Sequence, residues 1–150
     1  MSSPSCAKPG RYAGGHAHCA VCVTSREFSG ETVIIAIGTD VVDVARFTRS
    51  LERAPALRTK LFTPAERGLG PTSLAGRFAA KEAVAKALDA PAGMSWQHCS
   101  VPRTARGRAE LEIHGTVAAR AAELSITRWH LSISHDAGIA IAMVIAEALS

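Results

Sequence analysis

Apolar and polar positions along this chain repeat with two different periods, and the periods predict its elements. An apolar, β-branched run over 32–37 predicts a strand, and apolar residues then recur at helical intervals over 44–54. Near the C-terminus, apolar and polar side chains alternate over 129–134, and a nearly continuous apolar run covers 139–145. Because a polar Asp-Ala-Gly turn separates these two segments, they predict a β-hairpin whose second strand is covered on both faces.

The same patterns order the rest of the chain. We expect a strand over 32–38, a helix over about 40–53, a short helical turn near Pro64, a helix over about 72–88, a hairpin over about 97–113, a helix over about 116–124 and a final hairpin over 128–146. This order is typical of the mixed α+β class, with an antiparallel sheet packed against two longer helices.

The helix over about 72–88 carries the most informative charges. Glu82 shares a helix sector with small and apolar residues, where an unpaired carboxylate is costly to bury, and Lys86 one turn later is its local partner. Arg77 and Lys81 are one turn apart and both positively charged. Their repulsion is mildly destabilising, and a phosphate bound between them would relieve it. From the pattern alone, an alanine-rich core helix whose charges reach solvent is an equally good interpretation.

Polar residues at the ends of predicted strands form the other candidate elements. Asp40 lies at the predicted strand-to-helix junction, a position where α/β proteins commonly bind ligands, although a plain helix N-cap is the commoner role for such a residue. Ser134 and His135 lie at the tip of the final hairpin, where a histidine alone is usually just solvated.

Taken in this order, the elements resemble the holo-acyl-carrier-protein synthases, the short type of phosphopantetheinyl transferase. The segments that carry the resemblance are Ile-Gly-Thr-Asp-Val-Val-Asp-Val over 37–44, Leu-Phe-Thr-Pro-Ala-Glu over 61–66, Arg-Phe-Ala-Ala-Lys-Glu-Ala over 77–83 and Ser-Ile-Ser-His over 132–135. The chain departs from the family at Asp89, which replaces a usual Gly, and at Ala109, which replaces a common Pro. The resemblance implies the phosphopantetheinyl transferase fold in its single-half form, which oligomerises as a trimer with active sites between subunits.

The resemblance also implies an activity and its residues. Such an enzyme moves phosphopantetheine from coenzyme A to a serine of an apo acyl carrier protein, for fatty acid or polyketide synthesis. By resemblance, Asp40 and Glu82 bind Mg²⁺ and act in catalysis together with Lys86, which suits a cation that takes few carboxylates and completes its shell with phosphate oxygens. Also by resemblance, the residues that line the coenzyme are Arg77, Lys81, Lys86, Ser134 and His135. Which group takes the serine proton stays open.

Basic residues on the first predicted helix indicate a protein partner. Asp43, Arg46 and Arg49 recur every third residue away from the apolar face, and Arg53 extends the set. The pattern alone favours a solvated face with local ion pairs. The resemblance implies instead that Arg46, Arg49 and Arg53 bind the acidic carrier protein, since a guanidinium pairs well with carboxylates and rim charges raise association rates.

Composition narrows the remaining classes. A chain of 150 residues with 47% hydrophobic content suits one domain, and no apolar run reaches the roughly 18 residues that cross a membrane. We therefore expect a cytoplasmic protein that binds no membrane. The net charge of +4 is moderate, and because basic residues are not interleaved with aromatic ones we expect no nucleic-acid partner.

Residues 1–30 differ from the rest, because Ser, Pro, Gly, Cys and His dominate them without a periodic pattern. They predict a disordered extension before a transferase domain over 31–150. The alternative is a zinc site, although its ligands lack the second spaced pair of a zinc fold; they would be His16, His18, Cys19 and Cys22.

Two other function classes stay open. A metal-dependent phosphohydrolase would also use two carboxylates and Mg²⁺, but normally with more acidic ligands. A non-catalytic coenzyme A-binding module would keep the cations without needing the two carboxylates.

Overall fold

A computed structural model describes residues 31–89 and 92–149. The elements are strand β1 (Thr32–Asp43), helix α1 (Val44–Arg53), helix α2 (Pro55–Leu61), helix α3 (Pro71–Ala87), a 3₁₀ turn (Trp96–His98), strands β2 (Cys99–Ser100) and β3 (Glu112–Ile113), helix α4 (Gly115–Glu123), and strands β4 (Arg128–Asp136) and β5 (Ile139–Leu149). The predicted extension over 1–30 and its alternative zinc ligands lie outside the described residues. None of the described helices combines the length and hydropathy that a membrane span requires.

The main sheet is antiparallel and has the strand order β1-β5-β4, while β2 and β3 form a separate short ladder. Helix α3 packs across β1 and β5 and also contacts α1, while α2 packs on α1 and both α2 and α4 contact the 3₁₀ turn. The predicted α+β class with an antiparallel sheet packed on helices is confirmed.

The final hairpin forms where the pattern predicts it. Ala137 and Gly138 both have positive φ, 47° and 79°, as the tight turn of a two-residue hairpin requires. One expectation is wrong for the single chain: β5 is covered on one face only, because its outer residues Ile141 and Met143 stay 46% and 43% exposed.

The first strand and its helix meet later in the chain than the pattern predicts. Pairing between β1 and β5 continues to Asp43, so Asp40 lies inside the strand and not at a junction. Asp43 takes the capping role, since its Oδ1 accepts a hydrogen bond from the Arg46 backbone N–H at 2.8 Å.

Two elements in the middle of the chain also differ from the prediction. Helix α2 occupies a stretch expected to be a loop; it starts at Pro55, a residue favoured at the first helical position. The central hairpin is shorter than expected, because β2 and β3 pair over only two residues each.

A close contact between α3 and β1 holds the two layers together. Gly38 faces the helix, and a side-chain carbon built there would overlap the Ala83 carbonyl. Small side chains bury fully on both sides of this contact; they include Ala79 and Ala83 on the helix and Ala140 and Ala142 on β5. The backbones can therefore approach more closely than larger residues allow.

The Gly38 contact yields a stability prediction. Gly38→Ala should lower the free energy of unfolding by about 1–3 kcal/mol or more, because the helix must move away from the strand. Urea unfolding followed by circular dichroism measures it. Gly68→Ala is the matched control, since a side-chain carbon there meets nothing within 4 Å. Equal stability losses in the two variants would contradict the close-contact explanation.

Candidate active site

Asp40 and Glu82 line the same cleft, which has a volume of about 630 Å³. Asp40 comes from the inner face of β1, which it shares with the buried Gly38 and Val42. Glu82 comes from α3, one turn after Phe78 on the same side of the helix. Two carboxylates that are distant in sequence thus line one cleft at the edge of the sheet, where the family resemblance implies a shared site.

Lys86 joins the two elements at this point. Its Nζ lies 2.7 Å from Asp40 Oδ1 and donates to the Thr39 carbonyl at 2.8 Å. The sequence predicted Glu82 as its partner, but the ion pair goes to the strand instead. Because the Lys86 side chain remains 53% exposed, its ammonium can also meet a ligand from solvent.

The two carboxylates sense each other electrostatically. Partial burial raises the pKa of Glu82, the charge of Asp40 raises it further, and Lys86 opposes both effects. A cation placed beside the pair would relieve this repulsion, and carboxylate oxygens are the donors that a hard divalent ion prefers.

An aromatic cluster forms the apolar wall of the cleft. The Phe47 and Phe78 rings stack with centroids 4.6 Å apart, and Trp96 lies 6.4 Å from Phe78. Arg46 and Lys60 also line the cleft. The cleft therefore combines an acidic end, an apolar wall and basic side chains.

Lys81 lies away from this cleft, in the protein interior. Its side chain is 0% exposed, and its Nζ donates to Glu66 Oε2 at 2.8 Å and to the carbonyls of Leu61 and Trp96 at 2.8 and 3.1 Å. The three hydrogen bonds use all three ammonium hydrogens. This geometry corrects the prediction that Lys81 contacts a coenzyme phosphate, because no donor is left for one.

Glu66 completes this interior cluster. Its carboxylate also accepts hydrogen bonds from the Thr63 N–H and hydroxyl and from the Val101 N–H. Burial alone would raise the pKa of Glu66, but the hydrogen bond and charge of Lys81, together with the two backbone donors, bring it below its ordinary value of 4.5. The cluster ties α3 to the segment after α2 and to the end of β2.

Arg77 lies on the same side of α3 as Lys81 and does not line the cleft. It is buried, its Nη1 donates to the Ser73 carbonyl at 3.2 Å, and within the described residues its Nε has no hydrogen-bond partner. Burial lowers the pKa of Arg77, the Glu66 charge opposes that change, and the Arg103 charge adds to it.

Ser134 and His135 are exposed at the far end of β4. Strand β4 lies on the opposite side of β5 from β1, so two strand spacings, roughly 10 Å, separate it from Asp40. Ser134 pairs with the outward-facing Ile141, whereas His135 pairs with the buried Ala140. A single chain therefore brings neither residue to the carboxylates.

The first-helix arginines behave as their spacing suggests. Arg46, Arg49 and Arg53 are all exposed on α1, and Arg46 alone of the three lines the cleft. Sequence reasoning missed the part of the cleft lining that comes from α2 and the 3₁₀ turn, which includes Lys60 and Trp96. The signal that could have found it is Pro55, because proline favours the first turn of a helix.

Comparisons with known proteins place this geometry in a family. Residues 36–143 match the family model described as the 4'-phosphopantetheinyl transferase superfamily. A holo-[acyl-carrier-protein] synthase from Micrococcus luteus is 56% identical over 117 residues, which cover 77% of this chain and 93% of the relative.

Solved structures agree in fold. An acyl carrier protein synthase from Plasmodium yoelii with ADP bound aligns with a TM-score of 0.72 and 26% identity, covering 79% of this chain and 98% of that one. An ACPS–CoA complex from Chronobacterium ammoniagenes aligns with a TM-score of 0.66 and 32% identity, covering 74% of this chain and 95% of that one.

The Glu66–Lys81 pair predicts how acid affects stability. Because folding lowers the pKa of Glu66, its contribution is complete above about 4.5, the unfolded value, and is lost as the pH falls through the lower folded value. Glu66→Gln should therefore cost about 3–5 kcal/mol near pH 7, and this difference from the wild type should shrink between about pH 5 and pH 3.

Urea unfolding across that pH range is the measurement. The exposed Glu110→Gln change serves as control and should differ little from the wild type throughout. A Glu66→Gln deficit that stays constant or grows on acidification would contradict the assignment.

Proposed function

The chain belongs to the 4'-phosphopantetheinyl transferase superfamily, and we propose that Asp40 and Glu82 form the magnesium site at which it works. The protein is a transferase that moves phosphopantetheine from coenzyme A to a serine of an apo acyl carrier protein, leaving adenosine bisphosphate. One observation carries the proposal: Asp40 and Glu82 come from separate elements and line one cleft, where burial and then the charge of Asp40 raise the pKa of Glu82 and the single ammonium of Lys86 opposes this only in part.

The donor set fits Mg²⁺. This ion is held by one or two carboxylates and takes the rest of its shell from phosphate oxygens and water. When bound, it neutralises charge on the pyrophosphate whose bond breaks. Lys86 stands beside Asp40 with more than half of its side chain exposed, so its ammonium can bind a phosphate oxygen next to the carboxylates.

The carrier is assigned to the α1 side of the cleft. Arg46, Arg49 and Arg53 form an exposed basic surface on α1, and Phe47 of the aromatic wall directly follows Arg46 in sequence. A basic rim around an apolar wall suits an acidic protein that inserts apolar side chains, because the charges steer the encounter and the wall anchors it. The carrier's serine would then face the carboxylates at the end of the cleft.

A homotrimer is part of the proposal. The register places six exposed large apolar side chains on the outer face of the main sheet; they are Ile34, Ile37, Val41, Ile141, Met143 and Leu149. A contiguous apolar sheet face of this kind is a usual mark of an interface. A second copy of the chain is its proposed occupant, because the same sheet separates Ser134 and His135 from the carboxylates and a neighbour could bring those residues to them. Molar mass in solution measures the assembly.

Coenzyme binding then draws on more than one subunit. We assign Lys86 to the phosphates beside the carboxylates, and Ser134 and His135 of a neighbour to the remainder of the coenzyme. Arg77 stays in this set because its buried Nε has no partner within the described residues, which leaves a donor for a phosphate oxygen.

The proposed setting is the cytoplasm and the maturation of carriers for fatty acid or polyketide synthesis. Cys99, the cysteine within the described residues, is a free thiol, and burial chiefly raises its pKa to about 12. A protonated buried thiol is inert, which suits a reducing compartment.

The metal site predicts the outcome of two conservative changes. Asp40→Asn and Glu82→Gln should each reduce Mg²⁺-dependent transfer at least about 10²-fold while leaving the circular dichroism spectrum unchanged, because charge stabilisation dominates phosphoryl chemistry. Intact mass of the apo carrier, incubated with coenzyme A and Mg²⁺, records the transfer as a mass gain. Glu110→Gln is the control carboxylate change and should retain activity, and full activity in either site variant would remove that residue from the proposal.

The basic surface makes a separate prediction. Arg46→Ala should raise the KM for the carrier, Arg49→Ala and Arg53→Ala should do so less, and the KM for coenzyme A should not change. The effect should shrink as salt rises from about 0.05 to 0.5 M, because screening weakens exposed charge pairs. Arg106→Ala removes an exposed arginine in the loop between β2 and β3 and is the matched control. Equal effects on both substrates at all ionic strengths would indicate structural damage instead.

A further inference from the structure

One wall of the cleft is built from two short segments that have little core of their own. Leu57, Lys60 and Leu61 come from α2, and Trp96 comes from the 3₁₀ turn. Helix α2 has only seven residues, and the 3₁₀ turn has three. Because isolated helices of this length are marginal, tertiary contacts must hold the wall in place.

One buried side chain of α3 hydrogen-bonds to both segments. The Lys81 ammonium donates to the carbonyl of Leu61, the last residue of α2, and to the carbonyl of Trp96. The last carbonyls of a helix lack partners within it, so a cation there satisfies one of them and also interacts well with the helix dipole. Lys81 is therefore a buried cap for α2.

Other bonds also hold this wall, and all are less buried: Arg58 Nη1 donates to the Arg67 carbonyl and Arg67 Nε donates to the Phe62 carbonyl, at 2.9 and 3.0 Å, and both bonds are partly buried. Gln97 Nε2 and Arg67 Nη2 both donate to the Thr59 carbonyl, at 2.8 and 3.2 Å, and both bonds are exposed. The Lys81 bond to Leu61 is buried, so water does not compete for it. Lys81 also directly precedes Glu82, so the same turn of α3 positions both the wall and the carboxylate.

From this geometry we propose that Lys81 is a positioning residue that sets the width of the cleft, with Glu66 supplying the charge that allows its ammonium to be buried. The inference rests on the proposed function in one respect, that this cleft receives the carrier. Lys81 touches neither substrate; it fixes where Leu61 and Trp96 stand relative to Glu82.

If Lys81 served stability alone, a double variant of Lys81 and Glu66 would behave no worse than Glu66→Gln alone. Replacing both partners of a buried ion pair by neutral residues is often tolerated, because the desolvation cost of the charges disappears with them. The distinguishing comparison is therefore between Glu66→Gln alone and the double variant Lys81→Met with Glu66→Gln. The two proteins differ only at Lys81, and Glu66→Gln alone keeps the lysine nitrogen, which has enough hydrogens for the Leu61 and Trp96 carbonyls whether or not it keeps its charge.

The first readout needs no substrate. The chain has two tryptophans, so a Trp129→Phe background leaves Trp96 as the only one. Acrylamide quenching of Trp96 should rise at least about twofold in the double variant and stay near the background value in Glu66→Gln, because an unfixed wall exposes its side chain.

The second readout is kinetic. In the double variant the KM for the carrier should rise about tenfold or more with the KM for coenzyme A nearly unchanged, since small misplacements of a positioning wall are costly. Val117→Ala, a fully buried change in α4, controls for general destabilisation and should move neither readout.

The proposal is overturned if the double variant matches Glu66→Gln in quenching and in both KM values, or if Val117→Ala changes them equally. Because quenching requires no substrate, it decides for or against Lys81 even if the wild type shows no transfer. That last result would reject the proposed function alone.

Discussion

The close packing of α3 on β1 is the constraint on which the rest of the structure depends. Gly38 and the alanines of the helix remove the side-chain volume that would normally separate a helix from a sheet. Asp40 lies two residues after Gly38 on the same strand face, and Glu82 directly precedes Ala83 on the helix. Because the backbones approach closely at Gly38 and Ala83, the neighbouring carboxylates of Asp40 and Glu82 come to line one cleft.

Helix α3 places its charged side chains in different environments. Glu82 faces the cleft, Lys86 reaches across to Asp40, and Lys81 is buried against Glu66. In the buried pair each hydrogen of the Lys81 ammonium has a partner, whereas Arg77 is buried with an Nε that has no partner within the described residues. Such a helix has no single polar side, which explains why an amphipathic interpretation describes it poorly.

Local patterns predicted what depends on local forces. The α3 helix, the final hairpin and the α+β class followed from periodicity and turn chemistry, and the meeting of Asp40 with Glu82 followed from family resemblance. The length of β1 did not, because its last residues are held by pairing with β5 nearly a hundred residues later. The role of Lys81 was also hidden, since Glu66 and the Leu61 and Trp96 carbonyls become its partners only through tertiary contacts.

The alternation of side chains along β1 links assembly to chemistry. Asp40 points towards α3, whereas its neighbour Val41 is 60% exposed on the outer face, beside the exposed Ile141 of β5. Because successive residues of a strand face opposite ways, a slip of one residue would exchange the carboxylate with the apolar face. A second copy packed on the outer face would bury Val41 and so hold the register that presents Asp40 to the cleft. The assembly would then stabilise each site through the backbone of β1 as well as by contributing side chains to it.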